Sequence, residues 1–415
     1  MKIRKIRGGV TAALGFSAAH CAAGIRYQKR DDMAMIFSET PCRAAGTFTS
    51  NLVKAAPVLW DRAVLASGEP VHAVVINAGI ANAATGQQGM DLCAATAEKA
   101  GQALHIPTKA VLLGSTGVIG PNLPLDKISG GIDVMASSLS DTVKAGTAAS
   151  KAIMTTDTVN KEFAVEFSLP AADGSGVVPV HLGGMSQGSG MIHPTLSTML
   201  AYVTTDCAIS VRLMRKALST VVPDTFNMIS VDGDTSTNDT LLLLANGQAG
   251  NQEITEEDES YALFFDALMS VCRDLAIKMA GDGEGATHLI EMRVYGADTK
   301  SNAQKLARSV VSSSLVKAMV FGRDANCGRI LCALGYTGVY FDPSKIELYM
   351  DGQAERLCIY RDGRVQDFDE EKAHALLSAD AVRFSCDMKM GEAEATAWGC
   401  DLTYDYVKIN GDYRS

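Results

Sequence analysis

One stretch near the middle governs what this chain can become. It reads Gly183-Gly184-Met185-Ser186-Gln187-Gly188-Ser189-Gly190-Met191-Ile192-His193-Pro194-Thr195-Leu196-Ser197-Thr198-Met199-Leu200. A strand-like run, Val177 to Leu182, leads into it, and an apolar run, Met199 to Val203, leads out. Four glycines and a proline between them read as a turn before a buried strand. A cut between Ser197 and Thr198 would give Thr198 a free amine. Threonine with a free amine is a nucleophile that carries its own base. The chain would then be the precursor of a two-piece enzyme.

Several other motifs compete for the chemistry. Gly184-Met185-Ser186-Gln187-Gly188 fits the G-x-S-x-G nucleophile elbow. That elbow needs a helix straight after it, and Gly188, Gly190 and Pro194 do not supply one. Asp232-Gly233-Asp234-Thr235-Ser236-Thr237-Asn238-Asp239 imitates the start of a calcium loop. Its sixth position is Thr237 and its twelfth is Leu243, where such a loop needs glycine and glutamate. The stretch reads instead as a turn and helix cap. Gly114-Ser115-Thr116-Gly117 follows a short strand. Its glycines allow either a plain turn or a nest of N–H groups for an oxyanion. Asp282-Gly283-Glu284-Gly285-Ala286-Thr287 reads as a helix stop. Two acids set between glycines are costly to fold around unless something binds there.

The rest of the chain narrows the class. The 415 residues are 47% hydrophobic and 20% charged, an ordinary globular balance with room for two or three units. The net charge of −10 provides no basic track for nucleic acid. Ten cysteines and seven histidines are scattered, with no C-x-x-C pair, so no metal is expected. The segment Gly8 to Gly24 lacks the solid apolar stretch of a secretory leader and reads as a first strand and turn. The longest aliphatic run, Leu241 to Leu244, is too short to cross a bilayer, so a cytoplasmic protein is expected. Strand-like runs are predicted at 71–77, 110–113, 163–169, 288–295, 346–350, 356–360 and 382–388. Helices are predicted at 90–104, 141–154, 211–221, 257–280 and 303–313.

Further motifs follow one another along almost the whole chain. They include Gly15-Phe16-Ser17-Ala18-Ala19, Ala44-Ala45-Gly46-Thr47-Phe48-Thr49-Ser50-Asn51 and Asn77-Ala78-Gly79-Ile80-Ala81-Asn82. Next come Ser115-Thr116-Gly117-Val118-Ile119-Gly120 and Ala152-Ile153-Met154-Thr155-Thr156-Asp157-Thr158. After the central segment stand Val231 to Thr240, Asp282 to Thr287 and Trp398 to Asn410. Together they resemble the ornithine acetyltransferase family, also called bifunctional glutamate N-acetyltransferase.

That resemblance implies an α/β fold: a layered αββα sandwich of the N-terminal-nucleophile-like type, shared with self-processing aminopeptidases, plus a further α/β region toward the C-terminus. It implies autoproteolysis between Ser197 and Thr198, giving pieces 1–197 and 198–415. Thr198 would carry an acetyl group from N2-acetylornithine to glutamate in a ping-pong scheme. Thr116 and the Gly117 N–H would form the oxyanion site. Thr155, Gln187, Thr198, Glu284, Asn410 and Ser415 would contact substrate. A heterotetramer of two alpha and two beta chains is implied, with no bound cofactor and with acetyl-CoA as an alternative donor. The chain departs from the family pattern at three positions. Gln187 stands where lysine is usual, Ser197 where alanine is usual and Cys327 where tryptophan is usual. Two other readings stay open from the residues: a self-processing aminopeptidase, and an uncleaved binding protein.

Overall fold

The computed structural model describes residues 3–193, 199–353 and 355–412. Ser197, Thr198 and Ser415 lie outside the described residues. The chain divides into two compact units. The first comprises Met1–Gly188, Thr195–Asn227 and Thr235–Leu275. The second comprises Ser189–Pro194, Met228–Asp234 and Ala276–Ser415.

The first unit is organised by one long strand, Met33–Phe48. Its first part pairs with Phe16–Cys21 and with Val71–Asn77. The register then shifts between Phe37 and Cys42. Pro41 lies in that interval and brings no N–H to the ladder, so pairing cannot run through it. Beyond it, Arg43 to Phe48 pair with Thr240–Ala245. One strand therefore serves two sheet portions. The main path runs Arg4–Ile6, Lys161–Pro170, Val177–Gln187, Leu200–Thr205, Thr240–Ala245, Met33–Phe48, Val71–Asn77, Val111–Ser115, with Phe16–Cys21 off it on Met33–Phe48.

Side chains alternate across a strand, so each portion has two faces to cover. Ala34, Ile36, Val74, Ile76 and Leu112 of one portion share a core with Met185, Leu200, Tyr202, Leu242 and Leu244 of the other. On the outer side, Met33, Met35, Val75 and Leu113 pack with Cys93, Ala97 and Ala100 of the helix Gly86–Leu104. Ile128, Ile132 and Met135 of the helix Leu125–Ala136 join them. Toward the other outer side, Val211–Asp224 packs on Met33–Phe48, and Leu275 of Glu259–Gly281 lies against Gly184. Helix, sheet, sheet and helix follow in layers, as the resemblance implied. Each fully buried leucine or valine of this core contributes about 1.5–3 kcal/mol over its exposed state.

The second unit holds the further α/β region. Its sheet runs Ile229–Ser230, Ala393–Cys400, Leu289–Ala297, Ala381–Asp387, Glu347–Asp351, Arg356–Arg361, Arg364–Val365. The helix Lys300–Ser312 packs on Ala393–Cys400, Leu289–Ala297 and Ile229–Ser230. Thr299 caps it by accepting from the Asn302 N–H, and Ala303, Leu306, Ala307, Val310 and Val311 form its buried stripe. Among the described residues, no helix is long and apolar enough to cross a membrane.

The predicted strand 71–77 is observed as Val71–Asn77. The predicted helix 141–154 is shorter, Val143–Ala152. The stretch Asp232 to Asp239 requires a correction. It turns, but no helix follows, and the chain enters the strand Thr240–Ala245 directly. The apolar run Thr240 to Ala245 is fully buried between two neighbouring strands, which a helix would forfeit.

Candidate active site

The strand Val111–Ser115 runs into a loop clamped at several points. The Thr116 N–H donates to the Asn77 carbonyl at 3.0 Å, and the Val118 N–H to the Gly79 carbonyl at 3.1 Å. The Ser115 hydroxyl donates to the Ile80 carbonyl and accepts from the Asn82 N–H. Asn238 Nδ2 donates to the Ser115 carbonyl at 2.7 Å. Gly117 is held at φ +125°, and a Cβ there would lie 2.2 Å from the Gly79 carbonyl carbon. No other residue fits. Among the described residues, neither the Gly117 N–H nor the Thr116 hydroxyl has a hydrogen-bond partner. Fixed, unpaired donors are what a developing oxyanion requires.

A second cluster of the first unit centres on Asp157. Its Oδ1 accepts from Lys161 Nζ at 2.6 Å and from the Gly188 N–H at 2.9 Å. Its Oδ2 accepts from the Thr155 N–H at 3.0 Å and from Gln187 Nε2 at 3.2 Å. Gln187 Nε2 also donates to Thr155 Oγ1 at 3.1 Å. The side chains of Asp157 and Lys161 are both 0% exposed. Burial pushes the Asp157 carboxyl up, but the Lys161 ammonium and the N–H donors outweigh it and hold the pKa below its ordinary value. Thr155 and Gln187 are thus brought together. Asp157 and Lys161 were not singled out by sequence reasoning. The available signal was a lysine in phase with Phe163, Val165, Phe167 and Leu169, the apolar face of its strand, beside the motif ending at Thr158.

Glu284 and Asn410 meet within the second unit. Asn410 Nδ2 donates to Glu284 Oε2 at 2.7 Å. The Glu284 N–H donates to the Ser189 carbonyl at 2.8 Å. A Cβ on Gly190 would lie 2.4 Å from the Glu284 carboxyl carbon, and one on Gly285 would lie 2.7 Å from the Tyr406 nitrogen. Gly190 is therefore clearance for the Glu284 carboxylate, and Gly285 for the start of the helix Tyr404–Gly411. Asp232 accepts from the Met191 and Ile192 N–H groups at 2.6 and 3.0 Å, and burial raises its pKa. It anchors the segment that precedes Pro194, a role its sequence context did not reveal. Burial, with Asp232 and Glu284 nearby, also keeps the Tyr406 phenol protonated.

Ser186 is not a nucleophile elbow. It sits inside the strand Val177–Gln187, opposite Ala201 and Lys161, with its hydroxyl buried. Cys327 opens the helix Cys327–Gly335, and its buried thiol lies 3.9 Å from the Ile359 carbonyl, a packing position. Among the described residues, no cluster of three or more His, Cys, Asp or Glu could hold a metal ion.

The chain matches the ArgJ family over residues 17–415. It is 50% identical over 412 residues to the arginine biosynthesis bifunctional protein ArgJ of Symbiobacterium thermophilum, covering 99% of each chain. It is 41% identical over 414 residues to that of Bacillus subtilis, covering 100% of this chain and 98% of the relative. A solved structure of the arginine biosynthesis bifunctional protein argJ from Bacillus halodurans is 44% identical. That match covers 51% of this chain and 97% of the other, with a TM-score of 0.48. The chain belongs to the ArgJ family and is an acyltransferase with the glutamate N-acetyltransferase activity of arginine biosynthesis.

Proposed function

We propose that the chain matures by self-cleavage between Ser197 and Thr198 into pieces 1–197 and 198–415. In this reading Thr198 Oγ attacks the Ser197 carbonyl, and water hydrolyses the resulting ester. The products are a Ser197 carboxylate and a free Thr198 amine. An α-amino group has a pKa of about 7.7–8.0, so a useful fraction is unprotonated at neutral pH.

The mature reaction then has two half-reactions. The Thr198 amine takes the proton of its own Oγ as that oxygen attacks the acetyl carbonyl of N2-acetylornithine. The C–N bond breaks, the proton passes to the departing amine, and ornithine leaves an acetyl ester on Thr198. The amine of glutamate attacks this ester, N-acetylglutamate leaves, and Oγ regains its proton. Thr116 and the Gly117 N–H stabilise the oxyanion of each step. Thr155 and Gln187 hold the substrate's polar groups, and Glu284 with Asn410 receives the ornithine ammonium. Ser415 is assigned to the same set. The word bifunctional in the relatives' names supports a second acetyl donor, and acetyl-CoA is the one proposed. The cleaved pieces are proposed to assemble as a heterotetramer in the cytoplasm.

The observation that carries this reading is the pair of unpaired donors at Thr116 and Gly117 on a loop that admits only glycine. A denaturing gel tests it. Purified protein is expected as two bands in place of one at 43.8 kDa. Thr198→Ala is expected to stay uncleaved and to lose acetyl transfer from N2-acetylornithine to glutamate. A wild-type chain that stays whole after long incubation, or a Thr198→Ala variant that keeps transfer, would sink the assignment.

A further inference from the structure

The second unit contains an open cavity of about 320 Å³ lined by His193, Lys305, Arg308, Ser312, Tyr336 and Thr337. Lys305 and Arg308 stand three residues apart on the helix Lys300–Ser312, so they share a face. Among the described residues, neither has a carboxylate within ion-pair distance. Two cations side by side with no counter-charge are unusual in a chain of net charge −10. The Nε and Nη2 atoms of Arg308 are buried and find no acceptor among the described residues. These two atoms form the side edge of the guanidinium fork, the edge that grips two oxygens of one anion. Leaving them unpaired is costly, because each donor keeps its desolvation penalty with no bond in return. Arg308 lines the cavity, so an anion bound there would offer these donors the acceptors they lack. The Ser312 hydroxyl rests on the Arg308 carbonyl at 2.8 Å and can turn toward the same ligand.

We propose that this cavity is a binding site for a small phosphoryl dianion, either free phosphate or a phosphomonoester. Two cations match the charge of a phosphate group, about −1.5 to −2 at pH 7, better than a single carboxylate. The volume lies at the lower end of small-molecule sites, about 300–1,000 Å³. His193 reports on the ligand. Burial and the neighbouring Arg308 push its pKa down to about 4, so it is neutral at pH 7. A bound dianion offsets the Arg308 charge and raises that value.

The test is calorimetric titration of the whole protein with inorganic phosphate, glycerol 3-phosphate and succinate, at fixed ionic strength. Binding of either phosphoryl probe is expected, and the tighter of the two identifies the free ion or the ester as the source. Arg308→Gln should weaken it by about tenfold or more, the loss of a charge-assisted pair. Lys305→Gln, at an exposed position that leaves folding intact, should weaken it several-fold. The His193 imidazole, followed by NMR, should titrate at higher pH with phosphate present. Absence of binding at millimolar phosphate, binding unchanged in Lys305→Gln, or succinate binding more tightly than both phosphoryl probes would overturn the proposal.

Discussion

Two polar regions of the first unit handle their hydrogen bonds in opposite ways. Around Asp157 every group is used: two backbone N–H groups, one amide and one ammonium converge on a single carboxylate. In the loop after Ser115 the backbone is clamped just as firmly, yet the Gly117 N–H and the Thr116 hydroxyl are left without partners. Saturation makes the first region a scaffold that sets Thr155 and Gln187. Vacancy in a rigid frame is what the oxyanion role proposed for the second would require. Rigidity is common to both, and only the second keeps donors unspent.

The largest effect should come from breaking the saturated region. Lys161→Met leaves Asp157 buried without its cation, which should cost about 3–5 kcal/mol of stability. Urea unfolding measures it, and a loss under about 1 kcal/mol would mean that the pair is not structural. Gly117→Ala attacks the other region. It should reduce cleavage and acetyl transfer by about 10²–10³-fold, the usual loss for one oxyanion donor. Single-turnover rates decide this, and an unimpaired variant would make the loop a plain turn.

A pH series sharpens the contrast. The folded pKa of Asp157 lies below its ordinary value of 3.8. Its contribution is therefore complete above the unfolded value and is lost as pH falls through the folded one. The stability gap between wild type and Asp157→Asn should be full at neutral pH and close progressively below pH 3.8. A gap constant from pH 7 to pH 2 would contradict the ion pair. The smallest effect is expected from Gln187→Lys. A second ammonium beside an already paired Asp157 should lower KM for N2-acetylornithine a few-fold and leave kcat unchanged. Steady-state kinetics will show whether position 187 meets substrate or only holds Thr155.

Much of the layering was legible because apolar runs such as Val71 to Asn77 have one reading, a buried strand. The strand Met33–Phe48 was not. Glu39, Thr40, Pro41 and Gly46 break its pattern, and only its pairing with two sheet portions shows why it continues. At the site, Thr116, Gly117, Glu284 and Asn410 stand out through motif resemblance, since no periodicity or local pattern alone fixes their roles. Asp157 and Lys161 escaped because a buried ion pair looks like two surface residues until the strand that covers them is known. Asp232 accepts locally from the Asp234 N–H, as a turn implies, but its other donors, Met191 and Ile192, lie 41 and 40 residues away. Local propensity cannot see contacts at that separation.

The sheet order of the first unit bears on the molecularity of folding. Leu200–Thr205 pairs on one side with Val177–Gln187 and on the other with Thr240–Ala245, which in turn pairs with Met33–Phe48. A cut between Ser197 and Thr198 would leave two strands of the later piece inserted between strands of the earlier one. Neither piece could depart without unzipping two ladders. The uncut precursor would refold at a rate independent of concentration. The mature pair, once denatured, would have to find each other, and recovery would fall on dilution. Cleavage would thus convert a chain that can refold alone into an assembly formed most readily once, before it is cut.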